Sequence, residues 1–568
     1  MAEAALAIPS MVDGLGSGQR KVLFCALKRN LIQEATVAEF AGYVTEHSAF
    51  DHGLRQPSPA STIIGMAQDF VGSNNINLLK PRGQFGTRLS GGKYPGKAHH
   101  ICTSLAPITR LIFPKDDDVL LNYLNEEGQS IEPSWYLPVI PMVLVNGCKG
   151  FGNGWSSHVP NYNPRDIIAN LKRLLHGEAI VPMVPWYKGF KGSVKVKSSK
   201  AAGVRYTITG IIEEVDVTKL KITELPVRCW TYDYRQFLVS LCKGKDKEPP
   251  FLEDMSPNYD HADVEFEVIL SKQNMSIAKK KGLEKTFKLT TTIGTTNMRL
   301  FDSDGKIRKY DSPEDILKEF FKLRLQFYGR REAVMLKNIG EELLKLKNKA
   351  KFIHAVISGD IELVKRKKTE LILELKQKGY EPLPKRNITT EPVAVGGATE
   401  VEAEGFHVID YEYLFTMTIG TFNHEKVHEL IAQQKKLEDK VESLGKATPK
   451  TLWLRDLDAL EKELDAIDAK FEEMRCRRQK DYRGQKVSEA AISAAKSHKA
   501  SAPVAVRDDE DEVLELKECF SSPKHSAMED ETTQGEQKGQ KRRNEPSKIE
   551  NNSSAPPGKK VRKCSSVL

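Results

Sequence analysis

The residues with the greatest chemical reach lie in the first third of the chain. Arg20, Lys21, Lys28, Arg29, Lys80, Arg82, Arg88, Lys93 and Lys97 recur there. Cations at that density suit a polyanionic partner, although ordinary solvated faces carry similar charge. Residues 72–96 are rich in Gly, Asn and Pro, which is loop chemistry and a favoured place for function. Asp116-Asp117-Asp118 is the nearest approach to a carboxylate metal site. It follows Phe-Pro-Lys and reads instead as the cap of a helix carrying Leu120, Leu121 and Leu124. The glycines of 147–154 do not form a G-x-x-x-x-G-K-[ST] phosphate loop. No Ser-His-acid triad follows from spacing.

The elements that must position these groups fall into four regions. Residues 1–158 read as an α-rich unit, with basic short helices beside a flexible loop that would suit a winged helix. Gln19 to Arg29 gives one amphipathic helix, and Thr62 to Phe70 another. Thr36 with Glu39 has capping-box spacing ahead of Val37, Phe40, Ala41 and Val44. Residues 159–310 alternate β-like runs with turns, at 205–212, 263–270 and 287–293, and predict an α+β domain. Ser312-Pro313 with Asp315 then starts a long helix. Leu336, Ile339, Leu343, Leu346, Ala350, Ile353 and Ile357 recur at spacings of three and four, a coiled-coil seam. Ser358-Gly359 interrupts it, and 380–406 reads as a loop. The seam returns at Val427, Leu430, Gln434, Leu437, Val441 and Leu444, breaks at Thr448-Pro449, and resumes from Leu457 to Phe471. Residues 311–475 therefore predict an antiparallel helical hairpin, or an ordinary amphipathic pair within one domain.

Length and composition set the limits. The 568 residues predict three to five domains. A net charge of +9, with 39 % hydrophobic and 29 % charged residues, suits folded domains plus a charged tail. The eight cysteines contain no C-x-x-C pair, which argues for a reducing compartment and against a zinc finger. No apolar run is long enough to span a membrane, and the start lacks the basic n-region of a signal peptide. Residues 476–568 are rich in Ser, Ala, Glu, Lys and Pro and predict disorder. Their basic clusters, Lys541-Arg542-Arg543 and Lys559-Lys560-Val-Arg562-Lys563, suit nuclear import.

Long ordered strings identify a family. They include Ile8-Pro-Ser-Met-Val-Asp-Gly-Leu15, Gly18-Gln-Arg-Lys21, Phe70-Val-Gly-Ser-Asn-Asn-Ile-Asn-Leu-Leu79 and Gly83-Gln-Phe-Gly-Thr-Arg88. Pro141-Met-Val-Leu-Val-Asn-Gly147, Gly154-Trp-Ser156, Glu224-Leu-Pro-Val227 and the segment Thr451 to Glu461 continue the series. From about residue 7 to about 470 the chain resembles type IIA DNA topoisomerases, most of all the plant topoisomerase II enzymes. The resemblance implies a multidomain α+β fold. Its parts are a winged-helix domain truncated at its N-terminus (1–158), an α/β tower (159–310), antiparallel coiled-coil arms with a helical dimerisation gate (311–475), and a disordered nuclear tail (476–568). It covers only the second half of the family's enzyme.

The same resemblance implies what the site residues do. In the family a tyrosine attacks a DNA phosphorus, an adjacent arginine steadies the phosphate charge, and Mg²⁺ on another domain assists. That Arg-Tyr pair follows Gly-Gly-Lys. Here Gly91-Gly-Lys93 leads to His99 at the arginine position and His100 at the tyrosine position, so no catalytic residue is expected intact. Arg20, Lys21, His52, Gln84, Thr87, Arg88 and Lys93 fall at DNA-binding positions, with Asp51 an added acid beside His52. Phe151 takes the place of an isoleucine that wedges between base pairs. No metal site or cofactor is expected in this chain, since the family's Mg²⁺ and ATP belong to domains without a counterpart here. The expected partners are double-stranded DNA and a second copy or relative, as a homodimer or a heterodimer with a full-length topoisomerase II through 311–475. The expected role is DNA binding and bending without independent cleavage. The alternatives are a regulatory, dominant-negative partner and a non-functional relic.

Overall fold

A computed structural model of the chain describes residues 8–48, 58–126, 128–152, 155–200, 203–244, 249–259, 263–363, 366–383 and 411–499. His52 and both basic clusters of the tail lie outside the described residues, as does 384–406 of the loop expected at 380–406. The chain divides into two units at Tyr482/Arg483.

The first region is a cluster of three helices backed by a small sheet. Helix Ser17–Lys28 buries Val22, Leu23, Cys25 and Ala26. Helix Val37–His47 starts at the expected capping box: Glu39 N–H donates to Thr36 Oγ1 at 3.2 Å, and Thr36 N–H donates to the Glu39 carboxylate at 3.1 Å. The third helix is Pro59–Ala67 rather than 62–70. Ser58 caps it and Pro59 occupies the first turn, a local start signal closer to the N-terminus than the apolar run suggested. The sheet runs Ala35–Thr36, Cys102–Leu105, Leu79–Arg82, all antiparallel, with Thr36 and Arg82 both opposite Cys102.

The hydrophobic core of this region does not stop near residue 158. Ile167, Ile168, Leu171 and Met183 belong to it, as do Met298, Leu300 and Tyr310 from far along the chain. The chain comes back through the hairpin Met298–Phe301/Ile307–Tyr310, where Phe301 exchanges backbone hydrogen bonds with Pro9 and Met11. Between these points two smaller cores form. One is a four-stranded antiparallel sheet ordered Ile211–Glu214, Lys219–Glu224, Phe266–Ile269, Asp254–Pro257, covered by helices Thr231–Lys243 and Lys272–Lys281. The other lies on the sheet Thr290–Gly294, Gly203–Thr209, Ser193–Lys200. The run expected at 205–212 is two strands in different sheets, and Gly210 between them passes so close to the Glu224 carbonyl that a Cβ would stand 2.3 Å from it.

Helix Pro313–Ile357 begins where Ser312 Oγ accepts from Asp315 N–H at 3.1 Å. It pairs with helix His424–Gly445, and the order of contacts makes the pair antiparallel: Phe352 meets Phe422, Lys347 pairs with Glu438 at 3.3 Å, and Tyr328 bonds Asp456. Gln434 is half-buried and donates to Glu438, so it costs the seam little. At the base, Trp453 is fully buried, stacks on Phe321 and Tyr328, and donates Nε1–H to the Val139 carbonyl at 3.1 Å. At the far end a separate cluster joins Phe352 to Leu371, Leu375, Tyr411 and Leu414. The last helix, Pro449–Lys499, starts at the expected break and continues past 476, where disorder was expected. Its Ala, Lys, Glu and Arg content favours helix. Residues 500–568 lie outside the described residues.

Candidate nucleic-acid interface

Gln84, Thr87, Arg88 and Lys93, expected at DNA-binding positions, lie on a long connection, residues 83–101, between strands Leu79–Arg82 and Cys102–Leu105. It is held from both sides. Gln68 Nε2–H donates to the carbonyls of Phe85 and Gly92 at 2.9 and 3.3 Å. Gly96 N–H donates to Gln84 O, and Gly92 N–H to Thr87 O. From the second region, Tyr232 N–H donates to Leu89 O, and Trp230 lies close against Gly91. Gly91 has φ +66°, and a Cβ there would stand 2.2 Å from the indole, so only glycine fits.

Three of the cations expected on the DNA face are instead committed inside the protein. Arg20 forks onto Asp13, Nε at 2.7 Å and Nη2 at 3.1 Å, and also donates to Leu15 O. Lys21 pairs with Glu132 at 2.8 Å, both largely buried. Arg88 is buried and bonds the Glu224 carboxylate and the Leu225 carbonyl, while Glu224 also accepts from Lys191 N–H. A buried cation needs such a partner to offset its desolvation. These residues shape the face, and their guanidinium and ammonium groups are not presented on it. Lys93, Lys97 and Gln84 are exposed, and Thr87 is half-buried with Oγ1 accepting from Leu89 N–H. His99 and His100 are exposed at the end of the segment, ring centroids 4.2 Å apart and planes tilted by 59°.

The first region also holds a cleft of about 670 Å³. The first turn of helix Ser17–Lys28, Ser73, Asn74, Lys149 and Arg228 line it. The hairpin Cys148–Gly152/Trp155–Val159 borders it, with Phe151 opposite Ser156 in the register. The Phe151 side chain lies outside the described residues. Burial, then Arg228, depresses the His158 imidazole below its usual range, with Lys149 adding to the effect. Asn75, which the sequence did not mark, is the keystone underneath. Its amide donates to the carbonyls of Val145, Tyr162 and Trp186 and accepts from Lys188 N–H.

Asp116-Asp117-Asp118 does not cap an α-helix. Residues Lys115–Leu120 form a 3₁₀ turn without a side-chain cap, and Leu124 belongs to a strand. Asp117 is buried against Arg324 at 2.7 Å, Asp116 pairs with Arg331, and Asp118 with Arg110. Arg331 also reaches Asp456 at 2.7 Å. Among the described residues no group of three or more His, Cys, Asp or Glu side chains could hold a metal ion. Nor, among them, is any helix long and apolar enough to cross a membrane.

Three helices on a small antiparallel sheet, an inserted pair of β-cores and a long antiparallel helical arm define the class. Residues 7–458 match the family model for the A subunit of DNA gyrase/topoisomerase IV, and the chain belongs to that family. Within it the resemblance is to eukaryotic DNA topoisomerase 2. The Arabidopsis thaliana protein is 52 % identical over 484 residues, covering 83 % of this chain and 33 % of that protein. The Pisum sativum protein is 48 % identical over 460 residues, covering 78 % and 31 %. The crystal structure of the Plasmodium falciparum topoisomerase II DNA-binding, cleavage and re-ligation domain superposes with a TM-score of 0.75 at 44 % identity, over 82 % of this chain and 62 % of that one. The chain thus spans about a third of the length of the curated relatives it matches.

Proposed function

We propose that this chain is a topoisomerase II-like module that binds and bends duplex DNA and dimerises, but does not cleave DNA alone. The observation that carries this reading is the exposed turn bearing His99 and His100. By the family resemblance that turn should present an arginine and a nucleophilic tyrosine. An imidazole there would form a P–N bond in place of the phosphotyrosyl ester, with different reversal energetics. Tyr94 is exposed nearby but stands six residues upstream, across Pro95 and Gly96. The carboxylates of 116–118 are spent on arginines, so the described residues do not fit a catalytic metal, and no step is routed through one.

DNA would lie across the 83–101 segment and the hairpin at 148–159. Lys93 and Lys97 would meet phosphates, Gln84 and Thr87 would line the backbone, and Phe151 would wedge. The basic clusters at 541–543 and 559–563 would direct the chain to the nucleus. The test is a supercoiled-plasmid relaxation and cleavage assay with ATP and Mg²⁺, run beside duplex binding across a salt series. Salt-dependent binding with neither relaxation nor a covalent adduct is expected. An adduct that disappears in His100→Ala overturns the reading.

The antiparallel arm, clamped at Trp453, favours a second reading in which the partner is a full-length topoisomerase II. Such a heterodimer would lose strand passage, because one of its two chains lacks the tyrosine. Co-purification after co-expression, with relaxation inhibited in proportion, is expected. Failure to co-purify removes this reading. A folded chain without DNA affinity would favour the third, a non-functional relic.

A further inference from the structure

We infer that Arg228 is the centre of an anion site in the cleft bordered by the hairpin Cys148–Gly152/Trp155–Val159, and that the site takes a phosphate group. The phosphate is either a diester of duplex DNA or a group on a small molecule. The duplex case rests on the DNA-binding reading above, and the site itself does not.

Arg228 is held in a place that suits another residue. Cys229 N–H donates to the Pro226 carbonyl at 2.9 Å and closes a four-residue turn over 226–229. Arg228 is the third residue of that turn, with φ +66°. Glycine is the usual occupant of that place in a type II turn, and a side chain there is strained. The turn is anchored on both sides. Glu224 is buried against Arg88, Val227 is buried, and Tyr232 N–H reaches the Leu89 carbonyl. On the facing segment Gly72, φ +90°, leaves room for the arginine stem, since a Cβ there would stand 3.5 Å from Arg228 Cγ.

The guanidinium is half-buried and has no carboxylate to meet. Among the described residues it makes no ion pair, in contrast to Arg20, Arg88 and Arg324. Its charge acts on the side chains of Cys148, His158 and Tyr187, and no described carboxylate acts on any of the three. The cleft that Arg228 lines has no Asp or Glu in its described wall, and Lys149 stands in the same wall. The first turn of helix Ser17–Lys28 is there too, with neither a side-chain cap nor an acidic residue. A half-buried cation without a counter-charge is stabilised by an anion from outside. A guanidinium offers parallel N–H donors to two oxygens of one phosphate. The strain and the missing carboxylate fall on one residue, and a bound phosphate gives a reason for both.

The test gives the full chain two probes, inorganic pyrophosphate and a short DNA duplex. Pyrophosphate should raise the melting temperature beyond chloride at equal ionic strength. Arg228→Gly should abolish that rise, while its own melting temperature without ligand stays close to the parent's, because glycine suits the turn. Arg228→Lys should keep part of the rise, since it retains the charge and loses the fork. Duplex binding across a salt series identifies the source. If the phosphate is DNA's, Arg228→Gly should bind about tenfold more weakly at about 0.1 M salt, with a log–log slope lower by about 1. If it belongs to a small molecule, duplex binding should match the parent's while the pyrophosphate response is lost. Either result supports the site. A Gly variant that matches the parent in both arms overturns the inference, and where both bind duplex it leaves the DNA-binding reading standing. Absence of duplex binding by the parent, with its pyrophosphate response intact, overturns that reading and leaves the site.

Discussion

The base of the arm and the 83–101 segment both carry cations and aromatics, and use them in opposite ways. At the base, Arg324 is fully buried against Asp117, Arg331 bridges Asp116 and Asp456, and Trp453 closes the space between helices. The 83–101 segment turns Arg88 inward to Glu224 and leaves Lys93, Lys97, His99 and His100 outside. Charge at the first place fixes a joint, and at the second it faces solvent. The family match runs through both. Packing constrains the base residue by residue. The histidines touch little besides solvent, so the fold tolerates them whatever becomes of the chemistry.

The sharpest way to break this contrast is at the base. Asp117→Ala strands a buried guanidinium and should cost about 3 to 5 kcal/mol, read as a lower melting temperature. Asp117→Leu with Arg324→Met should recover much of that loss. Trp453→Ala should be comparably severe, about 3 to 5 kcal/mol by denaturant unfolding, since it opens a cavity among Phe320, Phe321 and Tyr328. Gly91→Ala should act more locally. It should cost about 1 to 3 kcal/mol and free the 83–101 segment to proteolysis, with Trp230→Ala relieving the clash. Lys93→Ala and Lys97→Ala should leave stability within about 0.5 kcal/mol of the parent and lower the salt slope of DNA binding by about 1 each. The smallest effect is chemical. Burial pushes the Cys25 thiol up to about 11, so alkylation at about pH 8 should label exposed Cys476 long before Cys25.

What the sequence made legible is local, or repeated. The capping box at Thr36, the Ser312-Pro313 start, the break at Thr448-Pro449 and the antiparallel seam all rest on residues within a few turns of one another. The ion pairs do not. Lys21 finds Glu132 and Arg88 finds Glu224, more than a hundred residues away, so a cation's spacing says nothing about which way it faces. One signal was available. Asp13 stands alone among Met11, Val12 and Leu15, and an acid in an apolar run asks for a buried partner, which Arg20 supplies. The composition of 116–118 misled for the same reason, because two of its arginines come from the arm helix, about two hundred residues on.

Helix Pro313–Ile357 has 45 residues and is about 67 Å long at 1.5 Å per residue. It is gripped near one end by Arg324, Tyr328 and Arg331, so it behaves as a lever with its fulcrum there. The tip cluster around Phe352 stands about 36 Å from that fulcrum, so two degrees of rotation carry it by about 1 Å. A substitution that loosens the joint by the width of a single methyl group therefore displaces the whole far end of the arm.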